Sequence, residues 1–226
     1  MKKIGISLRV ETIEKYDERR DTISHDWINF LQKLNFIPIL IPNNLQDTEG
    51  YISELKLDGI ILSGGDNLGE FPERDETENR ILEVAIKNSM PILGVCRGMQ
   101  IINNFFGGNL HKKDDPEHIN NNHTVNLTKD FSFNENNSIT VNSYHNNIIE
   151  SRDLGKDLKS VATHKDDNTI EGFIHVKYPI IGVMWHPERN PDNNSIQLFK
   201  EIFLAKKLKE RLLTYLKENN IKTKIS

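Results

Sequence analysis

The chain's single cysteine lies in Gly94-Val95-Cys96-Arg97-Gly98, a G-x-C-x-G pattern. This is the thiol counterpart of the nucleophile elbow, a sharp strand-to-helix turn that exposes the reactive atom and leaves no room for bulky flanking residues. A thiol at a helix N-terminus also meets unpaired N–H groups and the positive end of the dipole, and both favour thiolate. A second group is His186-Pro187-Glu188. Residues two apart in extended chain face the same side, so Glu188 can fix the tautomer of His186 while the imidazole serves a nucleophile. A third is Gly64-Gly65 in "ILSGGDN". Backbone N–H groups with no side chain in the way suit an oxyanion hole, whose other donor would be the N–H of Arg97. Taken singly, each group has a plain reading: a buried thiol, a surface His-Pro turn, a Gly-Gly turn. Together they supply nucleophile, base, orienter and oxyanion donors, the parts needed for acyl transfer through cysteine.

These groups need elements that bring them to one place. Each lies at or near the end of a short apolar run, "DGIILSGG" (58–65), "PILGVC" (91–96) and 180–185, which reads as a buried strand. Further strands are expected at 2–10 and at 36–41, where Pro38 marks an edge or a bulge. Helical spacing covers 24–35 and 75–88, and the segment after Cys96 is helical until Gly107-Gly108 stops it. Strands that are apolar on both faces and alternate with helices predict an α/β fold, a three-layer, mainly parallel open sheet. In such a sheet the carboxyl ends share one edge, where ligands bind. Residues 109–137, rich in Asn, Asp and Lys, are expected as loops. Strand candidates at 138–142, 159–163, 170–176 and 180–185 have little helix between them, so a small antiparallel portion is expected. Residues 194–217 form an amphipathic helix that packs on its own domain or serves a homodimer contact, and 218–226 read as a tail. The 226 residues read as one domain.

Composition narrows the partners. With 29 basic and 33 acidic residues the net charge is −4, which offers no footprint for nucleic acid and no polybasic membrane patch. One cysteine makes no internal disulfide, and no apolar stretch reaches the ~20 residues that span a bilayer. The expectation is a cytoplasmic protein with a small-molecule substrate. His111, His118 and His123 match no zinc spacing with cysteine partners, so they read as solvated loop histidines. No metal and no cofactor is expected. The acidic run Glu70–Glu78 reads as a solvated face or a helix start.

The stretches "DGIILSGGDN", "RDETE", "PILGVCRGMQIINNFFGGNLH", "HTV", "VNSYHN", "EGF" and "PIIGVMWHPE" resemble, in order, the class I glutamine amidotransferase superfamily, and within it the free-standing γ-glutamyl hydrolase branch. The resemblance implies a flavodoxin-like core and a Cys96–His186–Glu188 triad. It implies oxyanion donors at Gly65 and Arg97, with Gly64 beside them. Gln100, Ser143, Tyr144 and His145 would bind the glutamyl end, and His123 would line the pocket. The loop after Gly65 is shorter than the usual insertion, and Met184 stands where the related pattern has Gln.

The activity implied is hydrolysis of a γ-glutamyl–nitrogen bond through a cysteine thioester, releasing glutamate and an amine or phosphoramidate. For an anionic leaving group, Arg9, Arg19, Arg97 and Lys112 are the basic candidates. The alternatives are a glutaminase subunit that delivers ammonia to a partner synthase, and a non-catalytic binding protein of the same fold.

Overall fold

The computed structural model describes residues 1–113, 118–129, 131 and 137–204. Its first half runs through β1 (Lys2–Ser7), β2 (Arg9–Ile13), β3 (Glu18–Thr22), α1 (His25–Lys33), β4 (Phe36–Ile41), α2 (Thr48–Leu55), β5 (Gly59–Leu62), α3 (Pro72–Lys87), β6 (Ile92–Val95) and α4 (Arg97–Phe105). The second half adds β7 (His111–Lys112), β8 (Ile119–Leu127), β9 (Ser138–Tyr144), β10 (Asn147–Ile148), β11 (Leu158–His164), β12 (Ile170–His175), β13 (Ile180–Val183) and α5 (Asn193–Phe203). One sheet has the order β4-β1-β5-β6-β13-β12-β11-β8-β9. Strands β4 to β13 in that order are parallel neighbours. Numbered among themselves they follow the 2-1-3-4-5 order of flavodoxin-like folds. The remaining four strands extend the sheet through antiparallel pairings.

The alternation within strands explains the layers. In β5, Ile61 joins a core with Ile4, Ile6, Leu93 and Val95, while Ile60 and Leu62 face the opposite core. The first core is closed by Trp27, Phe30 and Leu31 of α1 and by Leu198, Phe199 and Ile202 of α5. The second is closed by Ile52 of α2, Ile81 and Leu82 of α3, and Met99 and Ile102 of α4. Local chemistry starts these helices. The side chains of Ser24, Asp47 and Asp192 accept from the N–H groups of Asp26, Gly50 and Ser195 at 3.2, 2.8 and 2.7 Å. Pro72 opens α3, where its missing N–H costs nothing.

Pro38 lies in β4, an edge strand, as its chemistry demands. The expectation of loops over 109–137 is corrected by β7 and β8. The Asn-rich β8 has weak strand propensity, but β9 pairs along nearly its whole length and β11 along its end, and that pairing overrides the local preference. The β2–β3 hairpin and α2 were not expected either. The helix expected over 194–217 is described as far as Phe203; the rest of it and the 218–226 tail lie outside the described residues. No described helix is long and apolar enough to cross a membrane.

The approach of α4 to the sheet depends on Gly98, where an added Cβ would lie 2.0 Å from the Leu62 carbonyl oxygen. Backbone cannot rotate away as a side chain can. Gly98→Ala is therefore expected to destabilise the fold by about 1–3 kcal/mol, the usual range for an overpacked core methyl. A thermal midpoint equal to that of the parent chain would contradict this reading of the contact.

Candidate active site

Cys96 occupies the turn between β6 and α4 with φ 52° and ψ −107°, a conformation that L side chains rarely adopt. Three contacts hold it there. Its N–H donates to the Val183 carbonyl at 2.8 Å, and its carbonyl accepts from the Gln100 N–H at 3.1 Å. Gly94 brings the strand against the first turn of α4: a Cβ at that position would stand 2.5 Å from the Gly98 carbonyl oxygen. Strain of this kind persists only where the surroundings over-determine it.

His186 follows β13, and its main chain is clamped on both sides by one side chain. Asn142 Nδ2 donates to the His186 carbonyl at 2.9 Å, and the His186 N–H donates to Asn142 Oδ1 at 2.8 Å. Glu188 Oε1 lies 2.7 Å from Nδ1 of His186, which leaves the Nε2 side for the thiol. Gly64 makes room for the ring, since a Cβ there would lie 2.7 Å from His186 Cε1. The Tyr144 ring meets the imidazole edge-on at 5.6 Å, and the Arg189 guanidinium lies 4.0 Å from the centre of the Tyr144 ring.

Burial pushes the Cys96 thiol up, but the charge and hydrogen bond of His186, the charge of His145 and the Arg97 N–H together bring it below the ordinary value. Burial likewise pushes His186 down, yet Cys96 and Glu188 raise it to about 9. Both shifts act in the direction that favours a thiolate–imidazolium pair.

The Gly64-Gly65 loop is held from behind by a buried cluster. Arg74, fully buried, donates through Nη2 to the carbonyls of Ser63 and Gly64 at 2.9 and 3.1 Å. Its Nε donates to Glu78 Oε1 at 3.2 Å and its Nη1 to Asp66 at 2.8 Å. The Arg97 guanidinium turns away from the pocket to pair with Glu78 and Asp75. No peptide bond among the described residues is cis, so C=O of Gly64 and N–H of Gly65 point in opposite directions. With the carbonyl aimed at Arg74, the Gly65 N–H faces the other way.

Cys96, His186, Glu188, Gly64, Gly65 and Tyr144 line one pocket. Arg97, Gln100, Ser143 and His145 sit behind it, each no more than 4% exposed. The Gln100 amide donates toward Met184 Sδ at 3.7 Å, and Ser143 Oγ donates to the His118 carbonyl at 2.6 Å. Arg9 and Arg189 line the pocket as well. Arg19 instead pairs with Glu73 at 2.5 Å, and Lys112 lies on β7, away from the pocket lining.

Two expectations are corrected. His118 and His123 are not solvated loop histidines; they are 0% and 4% exposed because β8 carries them into the sheet beside Glu171. His123 consequently faces Glu171 and is not among the pocket-lining residues. His111 is half exposed and pairs with Asp153 at 2.9 Å. The acidic run does start a helix, but Glu78 within it is fully buried, not solvated. Asn142 and Arg74 went unassigned in the sequence. Both lie in stretches that carried the resemblance, "VNSYHN" and "RDETE", yet nothing local says that their partners are backbone groups 44 and 10 residues away.

The ion pair has a measurable signature. Alkylation of Cys96 by iodoacetamide is expected to rise to its plateau at lower pH than for an ordinary thiol, which gains reactivity up to about 8.5, because His186, His145 and the Arg97 N–H favour the thiolate. Above pH 9 the His186 proton is lost and the pair dissolves. A plateau reached no earlier than that of an ordinary thiol would contradict the pair.

Comparison with known proteins finds relatives that cover most of the chain. The chain is 35% identical over 209 residues to the gamma-glutamyl-CDP-amidate hydrolase of Campylobacter jejuni, covering 88% of this chain and 96% of that protein. It is 32% identical over 172 residues to anthranilate synthase component 2 of Cyanophora paradoxa, covering 74% and 86% respectively. A solved glutamine amidotransferase of Thermotoga maritima superposes with a TM-score of 0.61 at 16% identity, over 100% of this chain and 86% of that one. Residues 3–188 match the Peptidase C26 description, and the chain belongs to the Peptidase C26 family.

Proposed function

We propose that the protein hydrolyses a γ-glutamyl–nitrogen bond, with Cys96 as nucleophile, His186 as acid and base, and Glu188 as the group that orients it. The observation that carries this reading is the meeting of Cys96, His186 and Glu188 in one pocket, with Glu188 Oε1 2.7 Å from Nδ1 of His186. The thiolate attacks the γ-carbonyl carbon, and the oxyanion is received by the N–H groups of Arg97 and Gly65. His186 gives its proton to the leaving nitrogen as the C–N bond breaks, which leaves a γ-glutamyl thioester and a neutral imidazole. Water then loses a proton to His186 and attacks the thioester carbon. The C–S bond breaks, freeing glutamate and restoring the thiolate. Tyr144 lines the pocket for the glutamyl end, and Gln100, Ser143 and His145 back that wall.

The leaving group is proposed to be anionic, with γ-glutamyl-CDP-amidate as substrate and cytidine diphosphoramidate as the second product, a building block for capsule modification. The C. jejuni relative supports this, and so does the pocket. Arg9 and Arg189 line it, and Arg9 Nε is buried without a hydrogen-bond partner among the described residues. Arg97 is spent on Glu78 and Asp75 and takes no part. The second reading, a glutaminase subunit feeding ammonia to a synthase, draws support from the anthranilate synthase relative.

Turnover of glutamine, γ-glutamyl amines and γ-glutamyl-CDP-amidate by the purified chain separates the two. The nucleotide amide is expected to have the highest kcat/KM, with Cys96→Ser inactive on all substrates. Arg9→Ala should lower kcat/KM for the nucleotide amide roughly 10- to 100-fold, the worth of a charged hydrogen bond, and leave glutamine turnover nearly unchanged. Preference for glutamine, raised by an added synthase, would replace the first reading with the second.

A further inference from the structure

Behind the pocket wall, four side chains converge that the hydrolytic mechanism does not need as a set. Glu171, in β12, is 1% exposed, and neither carboxylate oxygen accepts a hydrogen bond among the described residues. Around it stand three imidazole nitrogens. His123 Nε2 is 3.4 Å from Oε2, and His145 Nε2 and His118 Nδ1 are 3.5 and 3.7 Å from Oε1. A buried carboxylate with lone pairs left over is costly, and native structures complete it with donors or with a metal.

The spacing fits a metal. Ligands about 2.0–2.1 Å from a tetrahedral zinc ion stand about 3.3 Å from one another, close to the separations seen here. The ligand atoms of His118, His123 and Glu171 lie within 4.8 Å of one another. Two of the three histidines already have outer contacts that orient the ring. His118 Nε2–H donates to Asp167 at 2.8 Å, which leaves Nδ1 as the inward atom. His145 Nδ1–H donates to the Asn147 carbonyl at 3.0 Å, which leaves Nε2 inward. A carboxylate or a carbonyl on the far nitrogen fixes tautomer and orientation, as around bound metal ions. His118 Nδ1 and His145 Nε2 have no hydrogen-bond partner among the described residues, and both residues are at least nine-tenths buried.

We infer that His118, His123 and Glu171 form a binding site for a divalent transition-metal ion of the zinc type, with a fourth position left for water. Two imidazoles and one carboxylate suit such an ion better than calcium or magnesium, which prefer oxygen ligands. The site ties β8 and the residue before it to β12 and acts on catalysis only through position. It does not rest on the proposed substrate: the ligands are there whatever the leaving group.

Calorimetric titration of the chelator-treated chain with zinc chloride tests this, in the Cys96→Ser background so that the active-site thiol cannot ligate. The expected result is one equivalent bound at micromolar or lower Kd, with a rise in thermal midpoint that chelator reverses. Glu171→Gln and His118→Asn, with folding verified by circular dichroism, should weaken binding at least tenfold. Asp167→Asn should weaken it roughly 10- to 100-fold, as for other partners of metal-bound histidine. No zinc uptake by the Cys96→Ser chain at tens of micromolar, or equal uptake by the folded Glu171→Gln chain, would overturn the inference.

Discussion

The buried ion cluster of Arg74, Glu78 and Arg97 is the constraint on which the rest of the site depends. All three side chains are at most 1% exposed, so each charge must find its partners inside the protein or be too costly to bury. Burial alone would raise the Glu78 carboxyl, but Arg97, Arg74 and a hydrogen bond from Ser7 hold it below the usual carboxylate range. The cluster does more than balance charge. Its two arginines reach the two backbone segments that flank the thiol: Arg74 by its hydrogen bond to the Gly64 carbonyl, Arg97 by being the first residue of α4. Two peptide hydrogens from different strand ends are thereby set in direction before any substrate arrives. Preorganisation of that kind lets oxyanion donors act without reorganising during the reaction.

The glycines supply the complementary half of the geometry. The cluster pulls backbone into place, and Gly64, Gly94 and Gly98 allow it to come close enough. Without room at Gly64 the imidazole could not approach, and without Gly98 helix α4 could not lie against Leu62. The strained φ of Cys96 is the visible outcome of these pressures. The histidine is positioned separately, by the Asn142 clamp on its main chain and by Glu188 on its ring. Cys96 and His186 are thus held by different side-chain contacts, although the Cys96 N–H also donates to Val183 of the strand that leads to His186.

Sequence patterns point to the groups proposed to carry chemistry but not to the groups that hold them. Cys96, His186 and Glu188 are legible because strand, turn and helix signals are local and the spacing of reactive residues is tight. The parallel half of the sheet is legible for the same reason: Ile60-Ile61-Leu62 and its counterparts are apolar on both faces. Strand β8 is not, because its Asn-rich stretch is stabilised by β9 and β11 and not by its own propensities. The burial of His118 and His123 stems from that missed strand. Arg74 and Glu78 read as part of a charged helix face, and only the fold discloses that this face turns inward.

The central claim is that Cys96 takes up a γ-glutamyl group under the direction of the Gly65 N–H, itself set by Arg74. Acid-quenched intact-mass measurement during turnover, with peptide mapping, tests it in the parent chain and in Arg74→Lys. The account predicts a single glutamyl adduct on Cys96 that forms about 100-fold more slowly in the variant, the usual loss for one misplaced oxyanion donor. An adduct absent or on another residue, or one that forms equally fast in both chains, would contradict it.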